Sequence, residues 1–285
     1  MKKFTYIIAL AAAGLFLASC SEKWGSEPGN DNEPVVTVYN YNPAGTEYDS
    51  DTDQDVRFVS NGKVASAYYL TEKTADKKDA IAAQGEAAYI EKVIAQGTPI
   101  TFTDGVCDVT VTDMVGDYDI SVVAVNGNKK VMKSVSFSGI AWDVTSSIEG
   151  TYYIEIARMQ SITGATSFPA VLQRHSTDPT LYRIKGALGP GTKITIRTID
   201  QKGVDGDGDE YTFFRIPEQA TPYTFSSYGT VSLRDLGYWQ GDDAWVTSYG
   251  YESGMYADGY CFLCLHYYVS AGNLGYGWEY FEPND

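Results

Sequence analysis

Histidine is almost missing from this chain of 285 residues, with only His175 and His266 present. That removes the commonest general base and the commonest metal ligand from most of the sequence. No Gly-x-Ser-x-Gly elbow, His-Glu-x-x-His pair or Walker loop occurs, so the familiar hydrolase, zinc-protease and P-loop constellations are lacking. Nothing in the sequence implies a cofactor. Basic charge is also short, with 21 Lys and Arg against 37 Asp and Glu and a net charge of −16. A surface this acidic repels nucleic acid and anionic lipid headgroups, which excludes nucleic acid as a partner. Long apolar runs are few, and the one from Tyr6 to Leu17 is shorter than the roughly 20 residues that span a bilayer.

What is present begins with that same run. Lys2 and Lys3 precede it and Leu17-Ala18-Ser19-Cys20 follows it. This is a positive segment, a short apolar segment and small residues, the layout of a secretory signal. A cysteine directly after Leu-Ala-Ser resembles a bacterial lipobox. The resemblance implies diacylation of the Cys20 thiol, cleavage before it and acylation of the new amino terminus. The alternative is an ordinary signal peptide with an incidental cysteine. Residues 1–19 are thus expected to be a lipoprotein signal peptide. Residues 20–34, dominated by Gly, Ser, Pro, Asn and Asp, should form a flexible tether. Glu22, close behind the lipid cysteine, resembles the export signals of surface lipoproteins in Bacteroidota, which implies a cell-surface position on the outer membrane.

Four cysteines occur, and the lipobox uses one. Cys107, Cys261 and Cys264 remain, an odd number for an exported protein. Cys261 and Cys264 have C-x-x-C spacing but lie in an apolar, strand-like run, where positions three apart face opposite sides. Buried small hydrophobes are expected there rather than a redox or metal pair.

Residues 35–141 read as a β-rich domain. Val35 to Tyr39, Ala65 to Leu70, Cys107 to Thr112, Tyr118 to Asn126 and Val131 to Phe137 carry strand patterns, and Asn126-Gly127-Asn128 is a hairpin turn. One helix is expected over Asp76 to Gln96, weakened at Gly85. The pattern resembles an immunoglobulin or fibronectin type III sandwich with a helical insertion. Residues 142–285 read as an all-β domain of eight or nine short strands, an antiparallel barrel or sandwich with no helix. Two acidic stretches stand out. Asp49, Asp51, Asp53 and Asp55 alternate, as do Asp205, Asp207 and Asp209 between glycines. Either could present oxygens to calcium. A solvated loop is the expectation for the first and an Asp/Gly hairpin tip for the second.

The last quarter is the most informative. Residues 223–285 hold 17 aromatics in 63 positions, about twice the chain average of 14%. Trp239, Trp245 and Tyr251 sit among turn residues, beside Gln240, Asp242 and Asp243. Exposed aromatic rings next to polar groups suit a sugar, because a ring covers the C–H face of a pyranose while neighbours bond its hydroxyls. Those six residues are the candidate glycan site. Tyr260, Phe262, Tyr267 and Tyr268 are instead expected to pack the barrel. The closing segment Tyr267 to Phe281 also resembles that of gut-Bacteroidota lipoproteins associated with starch-utilisation-type glycan uptake. Its likeness implies a glycan and other surface lipoproteins as partners, beside the outer-membrane lipid reached through acylated Cys20.

Three functions remain in competition: a non-catalytic glycan-binding module, a structural or adhesion subunit, and a glycoside hydrolase. The last needs two carboxylates about 5–10 Å apart, for which Asp242, Asp243, Glu252 and Asp258 are candidates. The expectation adopted is the binding module, not an enzyme. Cys20→Ser should release the protein into the soluble fraction or leave its precursor uncleaved. Processing and fractionation identical to wild type would remove the anchor assignment.

Overall fold

The computed structural model describes residues 33–284, apart from the side chains of Asp243 and Trp245. Cys20, the signal segment and most of the tether lie outside the described residues. The chain divides into two compact units. One holds residues up to Asn42 together with Gln54–Ser138; the other holds Pro43–Asp53 and Gly139–Asp285.

The first unit is a two-sheet sandwich. Strands β1 (Val36–Tyr41), β2 (Gln54–Ser60) and β5 (Val106–Val111) form one sheet, in the order β1-β2-β5. The other runs β4-β3-β6-β7, built from β3 (Ser66–Lys73), β4 (Thr98–Pro99), β6 (Gly116–Asn126) and β7 (Lys129–Gly139). Val56 and Phe58 meet Ile120, Val122 and Ala124 between the sheets. The opposite face of β6 presents Val123 to Tyr89 and Val93. β6 is therefore buried on both faces and carries the apolar run Val122 to Val125, with Ser121 buried beside it. The helical insertion after β3 is two helices rather than one. Gly85 adopts φ +84 and separates α1 (Thr74–Gln84) from α2 (Glu86–Gln96). A residue with a Cβ resists that conformation, so the weak point in the pattern becomes a break.

The second unit is a curled ten-stranded antiparallel sheet. Its strands are β8 (Trp142–Tyr153), β9 (Ser167–His175), β10 (Leu181–Lys185), β11 (Lys193–Val204), β12 (Glu210–Arg215), β13 (Gln219–Thr224), β14 (Thr230–Asp235), β15 (Ser253–Tyr256), β16 (Cys261–Val269) and β17 (Gly272–Pro283). β17 pairs with β16 along most of its length and with β8 near its end, Tyr280 opposite Tyr153. These two pairings close a ring through β15, β12, β11, β10 and β9, from which β14 and β13 branch at β16. Rings of about eight strands enclose just enough space for side chains to fill. Ile154, Ile184, Ile194, Ile196, Phe214 and Leu263 fill this one. The mainly β class and the barrel-like second unit therefore stand.

Three expectations change. The second unit contains short helices: α3 (Ala157–Thr163), α4 (Leu236–Gln240) and α5 (Asp243–Tyr249). Pro43–Asp53 goes with the second unit, although the sequence placed it in the first domain. The aspartates of this segment are not a uniformly solvated row. Arg183 Nη1 donates to Asp49 Oδ1 at 3.0 Å and to Asp51 Oδ2 at 2.7 Å; Lys185 reaches Asp49, Lys193 reaches Asp51, and Trp142 Nε1 donates to Asp51 at 2.8 Å. Burial raises the Asp49 carboxyl, but the Arg183 charge and the Lys185 bond outweigh it and leave the pKa at about 2. Such a paired buried set is costly to break, because each lost partner strands a charge away from water. Cys261 lies within the barrel and Cys264 points the other way; both are buried free thiols, and burial pushes Cys264 up to about 12.

Among the apolar side chains inside the barrel sits Glu279, fully buried. Tyr152 and Tyr267 each donate a hydroxyl to its Oε2 at 2.8 Å. Burial raises its pKa and the two tyrosines only partly restore it, leaving about 7 against the ordinary 4.5. The folded protein thus holds a proton there that the unfolded chain releases from about 4.5 upward. Its contribution to stability is full below that value, falls across the window to about 7 and is level beyond. Glu279→Gln should gain stability relative to wild type as pH rises through this window, read as the difference between the two unfolding midpoints. A difference that stays constant across the window would remove the assignment.

Candidate functional site

The segment expected to be an aromatic loop, Tyr238 to Tyr251, is mostly helical. Asp235 caps α4 by accepting the Tyr238 N–H at 2.9 Å, and Gly241 ends the helix. The same carboxylate takes both Arg215 Nε and Nη2 at 2.8 Å and the Ile216 N–H at 2.8 Å. Asp235 is thereby committed to holding α4 on the barrel wall. Trp239 is consequently half-buried rather than displayed. Its ring stacks on His266 at 3.8 Å and 14°, with Tyr276 at 5.8 Å. Tyr251 meets Tyr276 edge-on at 6.5 Å. The structure therefore brings Trp239 and Tyr251 together through Tyr276, a residue outside the expected set. Gln240 and Asp242 are exposed, and Asp242 accepts the Ala244 N–H at 2.9 Å. The side chains of Asp243 and Trp245 lie outside the described residues.

His266 serves packing here. It lies between Trp239 and Tyr268, and Arg234 Nε approaches its Nδ1 at 3.4 Å. Burial first, then the Arg234 charge, lowers its pKa to about 4.

A cleft of about 630 Å³ opens between α5 and the barrel wall, lined by Gln201, Phe213, Thr247, Tyr251 and Glu252 around the Arg215–Asp235 pair. A second, of about 700 Å³, is lined by Asp209, Tyr256, Asp258, Tyr260 and Glu282. Glu252 and Asp258, two of the carboxylates considered for hydrolysis, line different clefts. At the hairpin tip, Asp205 accepts the N–H groups of Asp207 and Asp209 at 2.9 Å, as a turn aspartate does. Among the described residues no group of three His, Cys, Asp or Glu side chains is placed to hold a metal ion.

Between the two clefts runs a surface that the sequence reading missed. Along β16, Cys261, Leu263, Leu265 and Tyr267 point into the barrel, so Phe262 and Tyr268 point out, both half-exposed. Tyr260, Phe262 and Tyr268 were expected to pack the barrel; only Tyr267 does. On the outer face Phe262 contacts Tyr211 at 5.1 Å, Trp278 at 6.0 Å and Tyr256 at 6.1 Å. Tyr211 continues to Phe213 at 5.1 Å, and Tyr256 to Tyr260 at 5.8 Å. Tyr260 in turn stacks on Tyr280 at 6.3 Å and 30°. All seven rings are partly exposed. Two glycines make room for them. A Cβ on Gly254 would fall 2.5 Å from Phe262 Cζ, and one on Gly203 would fall 2.3 Å from Tyr211 Cζ. Alternation along β16 was readable beforehand; the pairing that aligns four strands' outward rings was not.

Comparison with protein-family models, curated proteins and solved structures finds no match. Among the described residues, no helix is long and apolar enough to cross a membrane.

Trp239→Ala should cost stability, about 2 kcal/mol, somewhat below the roughly 3–5 kcal/mol of a fully buried ring. Chemical denaturation of the variant checks this. A change within about 0.5 kcal/mol would mean that the stack on His266 carries no load.

Proposed function

We propose that this chain is a lipid-anchored surface protein acting as a non-catalytic binding component for glycans, engaged on the outer aromatic face of its barrel. The observation that carries the reading is the connected set of partly exposed rings centred on Tyr211, Phe262 and Trp278. Proteins ordinarily bury such rings or scatter them, and a contiguous exposed set marks a contact surface. Rings with polar neighbours fit pyranoses in particular: Asp205 already accepts the Tyr256 hydroxyl at 3.0 Å, and Glu252 lies near Tyr211. Tyr251, which meets Tyr276 and through it Trp239, lines a cleft with Gln201 and Glu252 and extends the same chemistry. Anchoring through Cys20 would hold many copies on one surface, so weak individual sites would act together.

The test is a polysaccharide array probed with the protein freed of its lipid cysteine, alongside Trp278→Ala and Tyr260→Ala. One stacked ring is worth about 0.5–1.5 kcal/mol beyond its buried area, so each variant should lose roughly two- to tenfold in affinity. Retention of no polysaccharide, or variants that bind as wild type while remaining folded, would overturn the reading in favour of an adhesion or assembly subunit.

A further inference from the structure

The aromatic face is not chemically uniform along its length. At one end Tyr256 and Tyr260 turn their rings 63° to each other and form two walls of the 700 Å³ cleft. The rest of that cleft is Asp209, Asp258, Glu282, Pro283 and Asn284. None of these three carboxylates has a lysine or arginine partner among the described residues. The contrast with the neighbouring hairpin is direct, since Glu210 is paired with Lys202. Asp258 accepts the backbone N–H of Tyr260 at 2.9 Å. The cleft therefore holds uncompensated negative charge beside two tyrosine rings. Both features favour the same kind of guest. A cation is drawn to the carboxylates by charge and to the ring faces by their quadrupoles. A bare metal ion is a poor candidate, because the carboxylates do not converge as a metal cluster. A larger ligand that carries its positive charge on an organic frame can meet them one at a time.

Continuity decides the frame. Tyr256 contacts Phe262, and Tyr260 stacks on Tyr280, so the cleft opens directly onto the ring surface. A sugar lying on that surface would reach the carboxylates with the substituents of its next residue.

Building on the glycan reading above, we propose that the outer face of β12, β15, β16 and β17 binds an amine-bearing glycan. Its sugar rings lie on the aromatic surface, and a protonated amino group enters the cleft lined by Asp209, Asp258 and Glu282. An N-acetylated sugar offers the same ring faces without the charge. A uronic acid or sulfated sugar brings the wrong charge to the cleft and is rejected.

The experiment compares a β-1,4-linked glucosamine oligosaccharide with its N-acetylated counterpart of equal length by titration calorimetry, in mildly acidic buffer where the amine is protonated. The proteins are wild type, the double variant Asp258→Asn/Glu282→Gln, and Trp278→Ala, each checked for an unchanged unfolding midpoint. Wild type should bind the amine form at least tenfold more tightly, and added salt should erode that preference. The double variant should lose the preference while keeping its affinity for the N-acetylated form. Trp278→Ala should weaken both. Equal binding of the two oligosaccharides by wild type, or a double variant that keeps the preference, overturns the amine site. If Trp278→Ala still weakens both in that case, the glycan reading survives. Binding of an oligolysine peptide with no binding of either oligosaccharide would overturn both.

Discussion

Everything in the second unit depends on β17 pairing on both of its edges. Its bonds to β16 and to β8 turn an open sheet into a ring, and a ring has an inside. Once the inside exists, the two-residue period of each strand assigns every side chain. Leu263, Leu265, Tyr267, Glu279 and Phe281 go inward; Phe262, His266, Trp278 and Tyr280 go outward. A slip of one residue would put the aromatic surface in the core and the core in water. The fold and the candidate site are two readings of one register.

The same register buries two titratable groups, one on each side of the wall. Inside, Glu279 is held at about 7; outside, beneath Trp239, His266 is held at about 4. Their linkages oppose each other. The unfolded chain takes up a proton on the histidine that the folded state refuses, so acid weakens this contribution between about 6.5 and 4. The carboxyl works in the other direction over nearly the same range. Across this region the two contributions therefore offset each other, and both groups are held largely neutral in the folded state.

Much of the fold was legible in the sequence because it is local. Strand alternation, the Asn126-Gly127-Asn128 turn and the weak point at Gly85 all act over a few residues. The helices α4 and α5 were not legible, because glycines and aromatics there imitate a loop and the cap on Asp235 is fixed through Arg215, twenty residues away. The role of Asp49 and Asp51 was further out of reach, since their cation lies on β10, more than 130 positions later. The candidate site divides in the same way. Aromatic enrichment pointed to residues 223–285, whereas the ring cluster also takes in Tyr211 and Phe213. Which rings face outward depended on long-range pairing: the sequence put Trp239 on a displayed loop and Phe262 in the core, whereas both lie on the outer side of the wall and both are partly buried.

The excursion of residues 43–53 into the second unit has a consequence in time. During synthesis β1 and β2 can pair as soon as they emerge, but the segment joining them has nowhere to settle. Arg183 follows Asp49 by 134 residues, and at about 5–20 residues per second the wait is on the order of ten seconds. Through that interval an acidic loop hangs from an otherwise finished hairpin, kept soluble by the charges it will later give up to Arg183, Lys185 and Lys193. The second unit cannot be completed by its own contiguous sequence, and the first cannot put away its loop without the second. Two compact units are thus bound to one folding schedule by eleven residues.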